Sequence, residues 1–272
     1  MHQLLQSVYP RPFLKWAGGK GQLIQQYLPY FPQQFSTYYE PFLGGGAIFF
    51  HLLPKRSLLM DINPELVNVY CCVRDKVELL IALLQEHRKH HCLDYYYQVR
   101  AQIEVSEIER AARLIYLNKT CFNGLYRENS KGQFNVPMGS YKNPMICDAE
   151  LLRAVSLVLQ STRIEVCPFE VVLDYAKSQQ DFVYFDPPYH PISATSKFTS
   201  YNRYSFSSED QIRLRDTFAI LVNRGVKVML SNSDCPFIRD LYKDFTIHTI
   251  SASRAINSNA RKRGKISELL IM

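Results

Sequence analysis

An α/β fold, with a mainly parallel sheet covered by helices on both faces and a largely helical insertion, is predicted by three observations. Short apolar runs alternate with helical patterns toward both ends of the chain, the signature of a parallel sheet. Residues from about 66 to 160 break that alternation with helical periodicity and a loop-rich stretch. The 272 residues are 47% hydrophobic and 13% aromatic, enough to bury a large core and to exclude a disordered chain. The division that follows is a sheet domain from 1–65 and 161–272 and an insertion over 66–160.

The elements follow in order. "STYYEPF" is strand-like, "LGGGAIFFHLL" leads glycines into a helix, and "RSLLM" is a strand ending at Asp61. Asn63-Pro64 opens one long helix, "PELVNVYCCVRDKVELLIALLQEH", with asparagine as N-cap and proline at the first helical position. Ser106 with Glu109 forms a capping box for the next helix. From Cys121 to Pro144 the chain reads as an exposed loop and hairpin. "DAELLRAVSLVLQ" returns to helix. Then come strand "RIEVC", helix "FEVVLDYAK", strand "DFVYF", helix "SSEDQIRLRDTFAILVNRG" and strand "VKVMLSNS". "FTIHTISASRAI" and "ISELLIM", around the basic "NARKRGK", form a closing hairpin.

Thirty-two Lys and Arg against 25 Asp and Glu give a net charge of +7, which suits a polyanionic partner. The seven cysteines are odd in number and contain no C-x-x-C, so a reducing, cytoplasmic setting is expected. "MHQLLQSVYPRPF" lacks a basic region followed by an apolar stretch, and no run reaches the roughly 18 apolar residues of a membrane span. A soluble, unexported protein without membrane contact is expected. "HRKHHCLD", with His87, His90, His91 and Cys92, lacks the second ligand pair of a zinc site and reads as a basic, solvated helix end; no metal is expected.

Three stretches carry chemistry. In "EPFLGGGAIFF", Gly44, Gly45 and Gly46 let a ligand approach the backbone closely, and Asp61 at the end of the next strand can accept hydrogen bonds from ribose hydroxyls. The G-x-G-x-x-G spacing of dinucleotide sites is absent, which favours a nucleoside without a diphosphate. "FLKWAGGK" holds Trp16 and Lys20 but lacks the P-loop frame, and Gly21 stands where Ser or Thr would hold magnesium, which argues against ATP chemistry. In "YFDPPYHP", Asp186 follows a strand's carboxyl end, where open α/β sheets bind ligands. Its carboxylate accepts hydrogen bonds, Pro187 offers a rigid carbonyl, and Tyr189 offers a face for a base. Two acceptors on one amine draw its hydrogens and turn the nitrogen lone pair toward an electrophile.

In this order and spacing, "FLKWAGGK", "YYEPFLGGGAIFF" with "LLMDIN", "NKTCFNGLYR", "GQFNVPMGSYKNP", "YFDPPY" and "FTSYNRYSF" resemble the Dam-type DNA adenine-N6 methyltransferases over nearly the whole chain. The resemblance implies a Rossmann-like methyltransferase sheet, S-adenosyl-L-methionine as cofactor and a β-hairpin in a DNA-recognition insertion. It places Trp16, Lys20, Gly44, Gly46 and Asp61 around the cofactor, with Lys20 on the methionine carboxylate and Asp186 near both cofactor and target amine. Phe169 is either a packing partner of the cofactor's adenine or an ordinary core aromatic. The target adenine would be flipped from double-stranded DNA, stacked on Tyr189 and methylated by direct transfer.

The resemblance further implies recognition of GATC by Lys15 and Arg127 on guanines, Leu125 and Pro137 near thymine, and Tyr141 behind them. Phe122 would wedge into the base stack with Asn123 beside it. The family often has tyrosine there, so wedging survives while any hydroxyl contact is lost. Arg254, Arg261, Lys262, Arg263 and Lys265 would add phosphate contacts. A monomer is expected, one molecule serving each strand in turn. A cytosine-C5 enzyme would need Pro-Cys, whereas this chain has Cys167-Pro168 and Cys235-Pro236. A cytosine-N4 enzyme, an RNA or protein-glutamine methyltransferase and a non-catalytic DNA-binding relative remain as rivals. The motifs suit a solitary enzyme and a restriction-modification partner alike.

Overall fold

The structure, a computed structural model, describes residues 8–103, 106–129, 131–191, 206–253 and 265–272. Its elements begin with α1 (Ile24–Tyr27), β1 (Thr37–Glu40), α2 (Ala47–Leu52) and β2 (Ser57–Asp61). Four helices follow: α3 (Pro64–Asp75), α4 (Val77–His90), α5 (Leu93–Ala101) and α6 (Glu107–Thr120). Then come α7 (Ala149–Leu159), β3 (Thr162–Val166), α8 (Val172–Tyr175) and β4 (Asp181–Phe185). The chain closes with α9 (Ser208–Asn223), β5 (Lys227–Ser233), α10 (Pro236–Leu241), β6 (Ile247–Ser253) and β7 (Lys265–Ile271).

The strands join in one sheet of order β3-β2-β1-β4-β5-β7-β6, parallel except for β7, which runs antiparallel between β5 and β6. Strand periodicity explains why both faces are buried. In β4, Phe182 and Tyr184 enter one core with β1 Tyr38, β2 Leu59 and β5 Met229. Val183 and Phe185 enter the other with Tyr39, Leu58, Val228 and Leu230. The first core is completed by side chains of α2, α3, α4, α6 and α7, the second by α8, α9 and α10. This is the mainly parallel α/β sheet that the alternation predicts, and the Rossmann-like one that the resemblance implies. Chain order reverses between β1 and β4, so a cleft opens at their carboxyl ends.

Local signals mostly hold. Asn63 Oδ1 accepts the N–H groups of Glu65 and Leu66 at the start of α3, with Pro64 in its first turn. Ser106 caps α6, but the Glu109 carboxylate meets the serine hydroxyl at 2.5 Å, so a serine cap and a side-chain bond stand where the reciprocal capping box was expected. Ser207 and Asp210 form a reciprocal box on α9.

Three expectations need correction. The single long helix is two, α3 and α4, because Lys76 leaves helical geometry at φ −137°, ψ 35°; the break lets α4 pack with α6 and α7. "FEVVLDYAK" yields a 3-10 turn (Phe169–Val171) and the four-residue α8. The Cys121 to Pro144 loop is only partly exposed, since Cys121 and Val136 are buried in a satellite core with Tyr96 and Tyr116. Antiparallel bridges Cys121↔Met138 and Glu128↔Phe134 close it as a hairpin-like arm. Helices α1, α5 and α10 have no counterpart among the expected elements; α5 begins in the polar "HHCLD", where apolar periodicity is weak.

"HRKHHCLD" is less solvated than expected. His87 and His91 hydrogen-bond through Nδ1 to the hydroxyls of Tyr95 and Tyr116, at 2.8 and 2.9 Å, and burial pushes the His87 imidazole down to about 4. No group of three or more His, Cys, Asp or Glu side chains among the described residues is arranged to hold a metal. No helix among them is long and apolar enough to cross a membrane.

Candidate active site

The cleft at the β1–β4 switch point has a volume of about 470 Å³. Trp16, Lys20, Gly44, Gly46, Asp61, Asp186, Pro187 and Tyr189 all line it, although they come from segments up to 173 residues apart, Trp16 to Tyr189.

The glycine turn is fitted to a neighbouring side chain. A Cβ on Gly44, which has φ +48°, would fall 2.9 Å from Cδ1 of Trp16, so only glycine lets the indole lie against the turn. Gly46 has φ +65° and precedes α2, with Tyr70 donating its hydroxyl to the Gly44 carbonyl at 3.1 Å. Asp61 locks the turn to β2: Oδ2 accepts the Gly44 N–H at 3.1 Å and Oδ1 the Asn63 N–H at 2.9 Å. Desolvation raises Asp61 to about 6 despite these bonds.

"FLKWAGGK" is built into the molecule, with Phe13 and Leu14 buried. Lys20 is 3% exposed, and its ammonium lies 2.8 Å from Oδ1 of Asp186, donates to the Gly18 carbonyl at 2.6 Å and sits 4.7 Å over the Tyr189 ring. The resemblance implied a carboxylate ligand for Lys20; within the protein its partner is Asp186. An ammonium has three N–H donors, so one remains beyond these two bonds.

Asp186 follows β4, whose register with β5 runs Tyr184↔Met229 and Phe185↔Leu230. The next step sets Asp186 beside Ser231, which donates to Oδ1 at 3.0 Å. Tyr189 donates its hydroxyl to Glu268 Oε2 of β7 at 2.6 Å, and burial raises its pKa well above the usual range, so it stays protonated. The Pro188 carbonyl is taken by Gln211 Nε2 at 3.0 Å, while the Pro187 carbonyl has no hydrogen-bond donor among the described residues. Phe169 is buried behind the cleft, stacked on Phe42 at 5.4 Å; Phe42 and Phe206 form the wall instead.

Several wall residues escaped sequence reading. Glu40, at the end of β1, is 2% exposed and accepts from the Tyr38 hydroxyl at 2.9 Å; burial raises it to about 8. The signal was the acid within "YYEPF", readable only as the polar end of an apolar strand. Tyr126 stacks on Trp16 at 5.5 Å and hydrogen-bonds Glu128, carrying the hairpin-like arm to the cleft.

The arm is also clamped from behind. Asn118, 1% exposed on α6, accepts the Lys15 N–H at 2.8 Å and donates to the carbonyls of Lys15 and Gly124 at 2.7 and 3.1 Å. Lys15 extends over the Tyr141 ring, 3.8 Å from its centroid. Burial, then the Lys15 charge, lowers Lys119 to about 8. Phe122 is 50% exposed and its N–H donates to the Pro137 carbonyl at 2.9 Å, while Asn123 adopts φ 54°. Arg127 Nε donates to Asn135 Oδ1 at 2.7 Å. Leu125 leans on the satellite core, so one side of it is scaffold. "FTSYNRYSF" up to Ser205, Arg254, Arg261, Lys262, Arg263 and the Lys265 side chain lie outside the described residues.

Comparison with known proteins shows the family. The family model of D12 class N6 adenine-specific DNA methyltransferases matches residues 16–256. The type II methyltransferase M1.LlaDCHI of Lactococcus lactis subsp. cremoris is 47% identical, over 96% of this chain and 94% of its own. M.MjaIII, a type II methyltransferase of Methanocaldococcus jannaschii, is 44% identical over 96% and 98%. The DNA adenine methylase of Escherichia coli K12 is 35% identical over 96% and 95%. With a match across most of its length and a cleft at the switch point of a Rossmann-like sheet, the chain belongs to the D12 class of N6 adenine-specific DNA methyltransferases.

Proposed function

We propose that this adenine-specific DNA methyltransferase acts, as a monomer, on the adenine of GATC in double-stranded DNA, with the target base turned out of the duplex into the cleft. In this reading residues 1–65 and 161–272 perform transfer and 66–160 recognise the site. One observation carries it: the arm bearing Phe122 and Arg127 reaches, through the Tyr126 stack on Trp16, the same cleft that Asp61 and Asp186 line.

The cleft residues fit S-adenosyl-L-methionine. Asp61 bonds each oxygen to one backbone N–H and retains lone pairs for ribose hydroxyls. The remaining Lys20 donor suits the methionine carboxylate, and Trp16 and Phe42 supply apolar wall. When bound, the cofactor supplies a methyl group on positively charged sulfur, which a neutral amine takes as the carbon–sulfur bond breaks.

The chain's own residues prepare that amine. Asp186 and the Pro187 carbonyl accept its two hydrogens, directing the lone pair outward, and the Tyr189 face holds the base in plane. The nitrogen turns positive as the new bond forms and gives up one proton, for which the Asp186 carboxylate is the adjacent acceptor. Lys15 and Arg127 are long cations suited to guanine O6 and N7, Leu125, Pro137 and Tyr141 shape the contact surface, and Phe122 with Asn123 fills the space beside the extruded base.

The test is transfer of labelled methyl to duplexes carrying GATC or its one-base variants, followed by nucleoside analysis. Label on adenine-N6 confined to GATC is the expected result. Label at another adenine site would overturn the assignment of Lys15 and Arg127, and label on cytosine would overturn the amine assignment.

A further inference from the structure

The Asp186 carboxylate has an unequal set of partners. Both protein donors, the Lys20 ammonium at 2.8 Å and the Ser231 hydroxyl at 3.0 Å, converge on Oδ1; Oδ2 has no partner among the described residues. Behind Ser231, its Oγ lies 2.9 Å from the hydroxyl of Tyr184, and both side chains are fully buried. The direction of this chain follows from counting protons. A hydroxyl donates one hydrogen, and Ser231 gives its own to Asp186, so in the bond behind it Tyr184 must give its hydrogen to Ser231. Burial, with the Asp186 charge adding to it, raises the Tyr184 phenol well above its usual range, consistent with a permanently protonated donor.

The chain is rigid because the sheet holds it. Tyr184 and Ser231 stand on adjacent strands two register positions apart, Tyr184 opposite Met229, and Ser231 is paired on its other side with Leu270 of β7. Tyr27 packs edge-on against the Tyr184 ring at 6.5 Å. Asp186 itself begins a Pro-stiffened turn just past the end of β4, where the Lys20 and Ser231 contacts hold its carboxylate.

We propose that Ser231, backed by Tyr184, is a positioning residue that pins Oδ1 of Asp186 and thereby presents Oδ2 to the target amine. Lys20 alone would anchor the oxygen without fixing the carboxylate plane, because an ammonium on a flexible stem is a point charge. Ser231 supplies the second direction. The proposal rests on the reading of Asp186 as acceptor for the amine.

The experiment measures single-turnover methyl transfer in the full chain, alongside equilibrium binding of cognate duplex and of S-adenosyl-L-methionine, for Ser231→Ala, Ser231→Thr, Tyr184→Phe and Asp186→Ala. Misplacement of a reacting group typically costs 10- to 100-fold, so Ser231→Ala should slow transfer by about that factor while both binding constants stay within about threefold. Ser231→Thr, which keeps the hydroxyl, should recover most of the rate. Tyr184→Phe should give a smaller loss in the rate alone. A merely structural serine would instead lower the folded fraction or both affinities and leave the rate per folded enzyme unchanged. A full rate in Ser231→Ala overturns the proposal, as does a full rate in Tyr184→Phe should Ser231→Ala fail to fold. A full rate in Asp186→Ala overturns the underlying reading of Asp186, a separate and distinguishable outcome.

Discussion

Lys20 and Asp186, 166 residues apart, form an ion pair at 2.8 Å in which the lysine side chain is 4% exposed and the aspartate 21%. The pair joins the segment before the first strand to the turn after β4. It thereby ties two stretches of cleft wall that are distant in sequence into one polar floor.

Asp186→Asn should abolish methyl transfer, by at least about 1,000-fold, while cognate duplex binding stays within about threefold, because the amide presents hydrogens where the amine needs acceptors. Lys20→Met should weaken cofactor binding as well as transfer. Breaking a buried pair costs about 3–5 kcal/mol when both ions are desolvated, and less here because Asp186 keeps a water-facing edge. Turnover assays with filter or fluorescence binding decide it; undiminished turnover in Asp186→Asn would remove that residue from the chemistry.

Tyr189 presents two separable features, its ring and its bond to Glu268. Tyr189→Phe keeps the ring and should reduce kcat by less than about fivefold. Tyr189→Ala removes a base-stacking surface worth roughly 1–3 kcal/mol and should cost about 10- to 100-fold. Equal losses in the two variants would assign the role to the hydroxyl instead.

Gly124 has φ +63°, and a Cβ there would fall 2.4 Å from Cβ of Lys15. Gly124→Ala must therefore displace Lys15 or the arm. Activity on the cognate duplex should fall by about tenfold or more, with S-adenosyl-L-methionine affinity unchanged. A parallel loss of cofactor affinity would mean that the clash spreads through Trp16.

Glu40 gives a pH prediction with a definite sign. Its carboxyl is raised from an ordinary 4.5 to about 8 by burial, so between these values the folded state holds a proton that the unfolded state has lost. Stability from this group is full below about pH 4.5 and is lost as pH rises toward 8, an effect on the order of 3–5 kcal/mol. Glu40→Gln should flatten the pH dependence of denaturant unfolding over that window. A cationic ligand in the cleft would favour the ionised form, so calorimetry in buffers of different ionisation enthalpy should detect proton release on cofactor binding near pH 7, absent in Glu40→Gln.

Features that depend on neighbours a few residues away could be read from the order of the amino acids. Short apolar runs became β1, β2, β3, β4 and β5; Asn63-Pro64 started a helix; and the acid, prolines and tyrosine of 186–189 arrived at a strand's mouth. Such features follow from side-chain alternation, missing Cβ atoms and locked φ angles. Features that depend on register and packing between distant segments emerged only when the chain folded. It broke the expected helix at Lys76, put Phe42 in front of Phe169, and filled the space above Gly44 with Trp16. It also brought Ser231 to Asp186 and Glu268 to Tyr189, since strand pairing selects these partners by position in the sheet and no local pattern records which strand will lie alongside.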